Sequence, residues 1–91
     1  MSETKNKLQV RLITPQGVEF DKAIAMAVVP GSEGVFCALP SHAPFVAFLK
    51  QGVVQLYFDD RHQSSPDQAI EIKGGFAELT PELCTILADH N

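Results

Sequence analysis

Three histidines and two cysteines are the side chains of this 91-residue sequence best suited to metal binding or nucleophilic chemistry. His42, His62 and His90 share no short spacing, whereas a zinc site takes paired ligands close in sequence or a cluster built from neighbouring strands. We therefore predict no metal site and interpret the histidines as surface residues. Cys37 and Cys84 lack C-x-x-C spacing and no export signal precedes them, which favours two reduced, buried thiols over a disulfide.

A thiolate and its base could in principle form from Cys37 and His42, which lie five positions apart. Cys37 sits within an apolar run, however, where burial keeps a thiol neutral, and nothing nearby supplies a group to orient the base. The adjacent Asp59 and Asp60 would point to opposite faces of a strand and are better interpreted as turn formers. We predict no catalytic residues.

The remaining acids and glycines suggest no cofactor site either. Glu71 and Glu78 lie in predicted strands and should face water. Gly31 and Gly34 open no predicted helix, and no Gly-Lys-Ser/Thr follows them, so the glycines form no phosphate-binding loop. The sequence therefore predicts no bound cofactor.

Composition and charge exclude several classes of partner. The net charge is −4 and the seven basic residues are scattered, so no basic stripe is present to bind nucleic acid or an anionic membrane surface. No apolar run approaches the roughly 20 residues that cross a bilayer, and no signal or transit peptide is visible. We expect a protein that stays in the compartment where it is made and reaches a membrane only through another protein.

Short alternating segments punctuated by six glycines and six prolines dominate the chain. Alternation with a period of two predicts half-buried strands, and no window carries a capped helical stripe. The fold class predicted is all-β, a small sandwich of eight to ten short, mostly antiparallel strands without a C-terminal helical hairpin. We expect one domain at residues 8–89, a flexible tail at 1–7 and a short end at 90–91. The predicted strands are residues 8–12, 18–20, 24–28, 35–39, 45–49, 53–58, 69–72, 76–79 and 83–87.

Four blocks of the sequence, in order, resemble the epsilon chains of F-type ATP synthases. The most specific is Pro-Gly-Ser-Glu-Gly-Val-Phe at 30–36 followed by Leu-Pro-Ser-His-Ala-Pro at 39–44, which is similar to the family's glycine loop and Leu-Pro-Gly-His-Ala-Pro. The others are residues 50–54, residues 74–79 with Pro81 and 85–89, and residues 10–15 with 18–20. Together they cover the chain from about Leu8 to Asp89.

Two residues depart from the family pattern. Cys37 and Ser41 stand where glycine is usual, and each adds a Cβ at a place that can require a tight turn. Family members commonly continue past Leu-Ala-Asp into two helices that inhibit ATP hydrolysis and in some members bind ATP. This sequence ends at Asn91, so neither property is predicted for it.

The resemblance implies a non-catalytic rotor subunit of a proton-translocating ATP synthase. Such a subunit would link the gamma subunit to the membrane c-subunit ring, on the cytoplasmic face of the bacterial plasma membrane, for rotary coupling and assembly. The alternative left open by size and polar loops is a free-standing, small-ligand-binding β-sandwich.

Contact residues carry over from the resemblance position by position. The loop that family members press onto the c ring corresponds to Glu33, Gly34, Val35 and Phe36. Phe36 is predicted to be an exposed aromatic residue of this loop, which could anchor an interface. Positions on the gamma-facing side correspond to Thr14, His42 and Ala47. Residues 43–49 are too apolar for a strand with one solvent-exposed face. We therefore predict that this segment is buried on both sides, either by gamma or by the sandwich itself.

Overall fold

A computed structural model describes residues 7–41, 43–59 and 64–89. These residues form strands and connecting turns with no helix, and so offer no helix long and apolar enough to span a membrane. His42, His62, His90, Asp60 and the predicted tail before Lys7 lie outside them. The nine strands are β1 Leu8–Thr14, β2 Gly17–Ile24, β3 Met26–Gly31, β4 Gly34–Ala38, β5 Phe45–Leu49, β6 Gly52–Tyr57, β7 Gln68–Ile72, β8 Gly74–Leu79 and β9 Leu83–Asp89.

The strands form one curled sheet that packs against itself as two layers. Five strands in the order β2-β1-β9-β8-β5 make one layer, and β4-β3-β6-β7 make the other. All neighbours are antiparallel except β1 and β9, which run parallel. The predicted all-β sandwich of mostly antiparallel strands is confirmed.

The layers join at one corner, where β3 meets β5 through the single pair Gly31 and Leu49. Two backbone hydrogen bonds fix this corner. The Ser32 N–H donates to the Phe48 carbonyl at 2.8 Å, and the Lys50 N–H donates to the Pro30 carbonyl at 3.0 Å. Beyond the corner β5 leaves β3 and pairs only with β8, so the sandwich is open along this side.

Alternating side chains from both layers fill the core. Leu8, Val10 and Leu12 of β1 are fully buried, and the residues between them are only partly buried, as a period of two requires. Opposite them lie buried residues of the four-stranded layer, including Val29 and Leu56. The alternation that predicted the strands therefore also assigned these residues to the core correctly.

Two predictions about non-glycine residues at usual glycine positions have different outcomes. Ser41 has φ +63°, a left-handed conformation that L-residues avoid, so the expected tight turn is present. Cys37 instead lies in extended strand β4 without positive φ, and its side chain is exposed. The prediction that Cys37 is a buried core thiol is wrong, because β4 is an edge strand whose alternate residues face outward. Cys84 is buried, as predicted.

Candidate docking surfaces

The β3–β4 hairpin presents the residues predicted to contact a c ring. Its loop is only Ser32-Glu33, and Gly34 follows with φ +141°, a conformation that favours glycine. Glu33, Gly34 and Val35 are exposed, Val35 by 65%. They therefore form one accessible tip at the open side of the sandwich.

The position and exposure of Phe36 differ from those predicted from the sequence. It lies in β4 rather than in a loop, is half-buried, and packs against the core. Its ring meets that of Phe45 edge to face, with centroids 5.2 Å apart. The interpretation as an exposed loop aromatic is wrong because strand alternation turns Phe36 inward and Val35 outward.

A groove of ≈ 490 Å³ runs beneath the hairpin tip. Its apolar lining includes Phe36, Phe45 and Phe48. Its polar lining includes Ser32 and Glu33 at the tip. The groove follows the gap that opens where β5 leaves β3.

Strand β5 exposes one apolar face. Val46 is 59% exposed and Phe48 is 70% exposed, whereas Leu49 is buried. The sandwich itself therefore does not bury this strand on both sides, and the alternative of a central core strand is wrong. Cover by another protein stays a prediction.

Pairing registers extend the exposed face of β5 into an apolar row across five strands. Phe48 is paired with Phe76, with ring centroids 5.7 Å apart, and Phe76 is paired with Leu87. Leu87 is paired with Ile13 of β1, and Ile13 with Val18 of β2. Paired residues share a face, so these five side chains form one stripe on the outside of the five-stranded layer, which we call the apolar row.

A second row on the same face is mostly polar. Following the registers, it consists of Val46, Glu78, Thr85, Arg11 and Asp21. Arg11 Nε lies 3.3 Å from an Asp21 carboxylate oxygen, and Gln9 Nε2 donates to the other Asp21 oxygen at 2.6 Å. Glu78 is exposed, as predicted.

The described residues predicted to face gamma do not lie together on the surface. Thr14 is only 4% exposed, and its hydroxyl interacts within the β1–β2 turn, accepting from the Gln16 N–H at 3.2 Å and lying 3.2 Å from a Glu19 carboxylate oxygen. Ala47 is half-buried and faces inward, paired with Ala77. A partner can reach their neighbours Ile13 and Val46 more readily than either residue. The apolar row was missed from sequence, because only the register brings its members together.

The described residues offer few side chains that could react or bind a metal. Burial raises the pKa of the Cys84 thiol from 9.0 to about 12, so this sulfur stays protonated and unreactive. Residues 7–41, 43–59 and 64–89 bring no three histidine, cysteine or acidic side chains together as a metal-binding group. Surfaces that could dock a partner, rather than a reactive centre, are the distinctive feature of this part of the chain.

Comparison with known proteins agrees with this architecture. Residues 7–91 match the family described as the ATP synthase delta/epsilon chain, β-sandwich domain. The chain is 38% identical over 85 residues to an ATP synthase epsilon chain of Rhodospirillum centenum, covering 93% of this chain and 57% of that one. It is 40% identical over 80 residues to that of Rickettsia peacockii, covering 88% and 70%. Against several such relatives the chain spans little more than half of their length.

Solved structures share the fold at low identity. A chain of the Tetrahymena thermophila mitochondrial ATP synthase central stalk and c ring superposes with a TM-score of 0.71 at 16% identity, covering 94% of this chain and 66% of that one. A chain of the Euglena gracilis mitochondrial ATP synthase gives a TM-score of 0.76 at 18% identity, covering 91% and 51%. With the family match and the relatives, this shows that the chain belongs to the ATP synthase delta/epsilon-chain β-sandwich family.

Proposed function

We propose that this chain is a non-catalytic rotor subunit of a proton-translocating ATP synthase that links the gamma subunit to the membrane c ring. The observation that carries the proposal is the apolar row, which exposes Phe48 at 70%, Val18 at 61% and Leu87 at 49% along one sheet face. Exposed apolar stripes of this kind mark surfaces that another protein covers. Family membership supports gamma as the protein that covers it.

The hairpin tip is the proposed contact with the c ring. Glu33, Gly34 and Val35 are exposed there, at the corner of the sandwich next to the end of the apolar row. The proposed location is peripheral, on the cytoplasmic face of the bacterial plasma membrane, where a c ring would hold the subunit. Phe36 contributes by supporting the hairpin through its contact with Phe45.

Binding to the gamma subunit tests the first contact. Phe48→Asp removes the most exposed aromatic side chain of the apolar row, and aromatic anchors of this kind contribute about 2 kcal/mol or more. We expect affinity for gamma, measured by titration calorimetry, to fall at least about 30-fold. Val53→Asp is the matched control because Val53 is an exposed strand valine on the outer face of the other layer. Unchanged binding by Phe48→Asp would refute the proposed gamma surface.

Attachment of the catalytic head to membranes tests the second contact. Val35→Asp places a charge at the hairpin tip without disturbing the core, whereas Phe36→Asp would also remove a packed ring. We expect Val35→Asp to keep gamma binding while weakening retention of the head on membranes that contain the c ring. Full retention would refute the hairpin assignment.

The groove supports a second candidate function. Its volume of ≈ 490 Å³ and its aromatic lining lie within the ordinary range of small-molecule sites, which favours a free-standing ligand-binding sandwich. Thermal shift with and without gamma separates the two functions. Stabilisation by gamma supports the rotor subunit, and failure of the folded chain to bind gamma favours the ligand-binding module.

A further inference from the structure

The polar row of the proposed gamma-binding face carries an uncompensated charge at Glu78 of β8. Its side chain is exposed, and its cross-strand neighbours on that face are Val46 and Thr85, neither of which carries a charge. Along β8 it lies two residues from Phe76 of the apolar row, on the same side of the sheet. Among the residues that the structure describes, none forms a hydrogen bond or an ion pair with the Glu78 carboxylate.

The other two charges of the polar row, Arg11 and Asp21, neutralise each other. Arg11 lies two strands from Glu78 in the same row and pairs with Asp21 at 3.3 Å. Asp21 is further satisfied by Gln9 Nε2 at 2.6 Å. Subtracting this pair leaves a net charge of −1 on the polar row, located at Glu78.

Covering this face with an apolar partner would remove water from the Glu78 carboxylate. An ionised carboxylate without water needs a cation or several donors, because an unpaired buried charge is strongly unfavourable. Cross-strand spacing keeps Glu78 within about 5–8 Å of the apolar row, so a partner covering one covers the other. The partner must therefore supply a cation or several hydrogen-bond donors at this point, and a lysine or arginine side chain supplies both.

We propose that Glu78 is a specificity residue of the docking face and pairs with a lysine or arginine on the gamma subunit. The proposal rests on the proposed function, since it takes gamma as the occupant of this face. The apolar row would supply contact area, and Glu78 would fix the orientation and register in which gamma docks, which is a common role of interfacial charges. Glu78 is a positioning residue in this scheme.

The test compares Glu78→Gln with Glu71→Gln. Both residues are exposed strand glutamates, but Glu71 lies on β7, in the other layer. Each substitution keeps the shape and removes one negative charge, so global effects of net charge are matched. Affinity of the full chain for gamma would be measured by calorimetry at low and high salt, and folding by thermal melts.

We expect Glu78→Gln to weaken gamma binding about 10-fold at low salt and to reduce the salt dependence of affinity, with Glu71→Gln unchanged in both. Restoration of Glu78→Lys binding by an acidic substitution at one basic residue of gamma would identify the pair. Equal affinities and equal salt dependence for the two glutamine variants would overturn the proposal while leaving the docking face intact. Retention of full binding by Phe48→Asp would instead refute the docking face, and this inference with it.

Discussion

Ser41 offers a direct test of how the β4–β5 connection is built. Its φ of +63° lies in the left-handed region, where the Cβ of an L-residue approaches the following carbonyl oxygen at a cost of roughly 1–2 kcal/mol. Its backbone N–H donates to the Pro81 carbonyl at 2.9 Å, which holds the turn in place. The fold thus imposes a conformation that glycine would adopt without strain.

Replacing Ser41 with glycine should stabilise the domain. The change removes the strain but gives the unfolded chain extra freedom, which costs about 0.5–1 kcal/mol, so the net gain is about 0.5–1 kcal/mol. For a domain of this size that corresponds to a rise in Tm of about 2–6 °C. Ser41 makes no side-chain hydrogen bond with the described residues that the change would remove, and its hydrogen bond to Pro81 uses the backbone.

Urea titration and thermal melts followed by far-UV circular dichroism measure this change. Ser32→Gly is the matched control, because Ser32 is also an exposed turn serine whose N–H is hydrogen-bonded, but its φ is not positive. We expect Ser32→Gly to lower the free energy of unfolding by a few tenths of a kcal/mol to about 1 kcal/mol. If Ser41→Gly destabilises the domain as much as Ser32→Gly does, the left-handed strain assigned to Ser41 is wrong.

Three further outcomes follow from packing and burial. Gly75→Ala should lower the free energy of unfolding, measured by urea titration, by about 3 kcal/mol, because φ is +143° there and an added Cβ would clash with the Leu87 carbonyl oxygen. Gly17→Ala is the control: φ is +123° but the space around it is open, so only the conformational cost of about 1–2 kcal/mol is expected. Under native conditions a maleimide reagent should modify Cys37 quickly and Cys84 only on unfolding, and equal rates by mass spectrometry would contradict their assignments. Folding raises the pKa of the Cys84 thiol from 9.0 to about 12, so the stability that the protonated thiol contributes is fully present below pH 9 and is lost as the pH rises toward 12. Cys84→Ala should therefore reduce the loss of stability at alkaline pH.

The alternation of apolar and polar residues predicted most of the strands, but it could not show for every strand which face is buried. In β1 the alternation of Leu8, Val10 and Leu12 with polar residues marks which face is buried. The uniformly apolar run of β4 carries no such mark, so Phe36 and Cys37 were each assigned to the wrong environment. Burial there depends on β4 being an edge strand, which is a property of the sheet order.

The proposed docking face could be predicted even less well from the sequence. Its apolar row takes one residue from each of five strands, and each looks like an isolated surface apolar residue on its own. The parallel pairing of β1 with β9 links the two ends of the chain, and only the register of that pair aligns Ile13 with Leu87. The proposed partner comes from the family resemblance, and the pairing registers indicate which side chains such a partner would cover.

The two proposed contacts are connected through the backbone, which bears on how a rotor subunit could transmit force. The hairpin tip and the apolar row meet at the sandwich corner, where the Ser32 N–H donates to the Phe48 carbonyl at 2.8 Å. A Cβ on Gly31 would meet the Gly34 carbonyl oxygen at 2.6 Å, so this close approach requires glycine. We therefore expect a load applied at the tip to reach β5 through this backbone hydrogen bond and the close-packed corner rather than through flexible side chains. Gly31→Ala should then reduce coupling between ATP hydrolysis and proton pumping in the assembled enzyme at a temperature where the domain stays folded, and unchanged coupling in that folded variant would show that the corner does not carry the load.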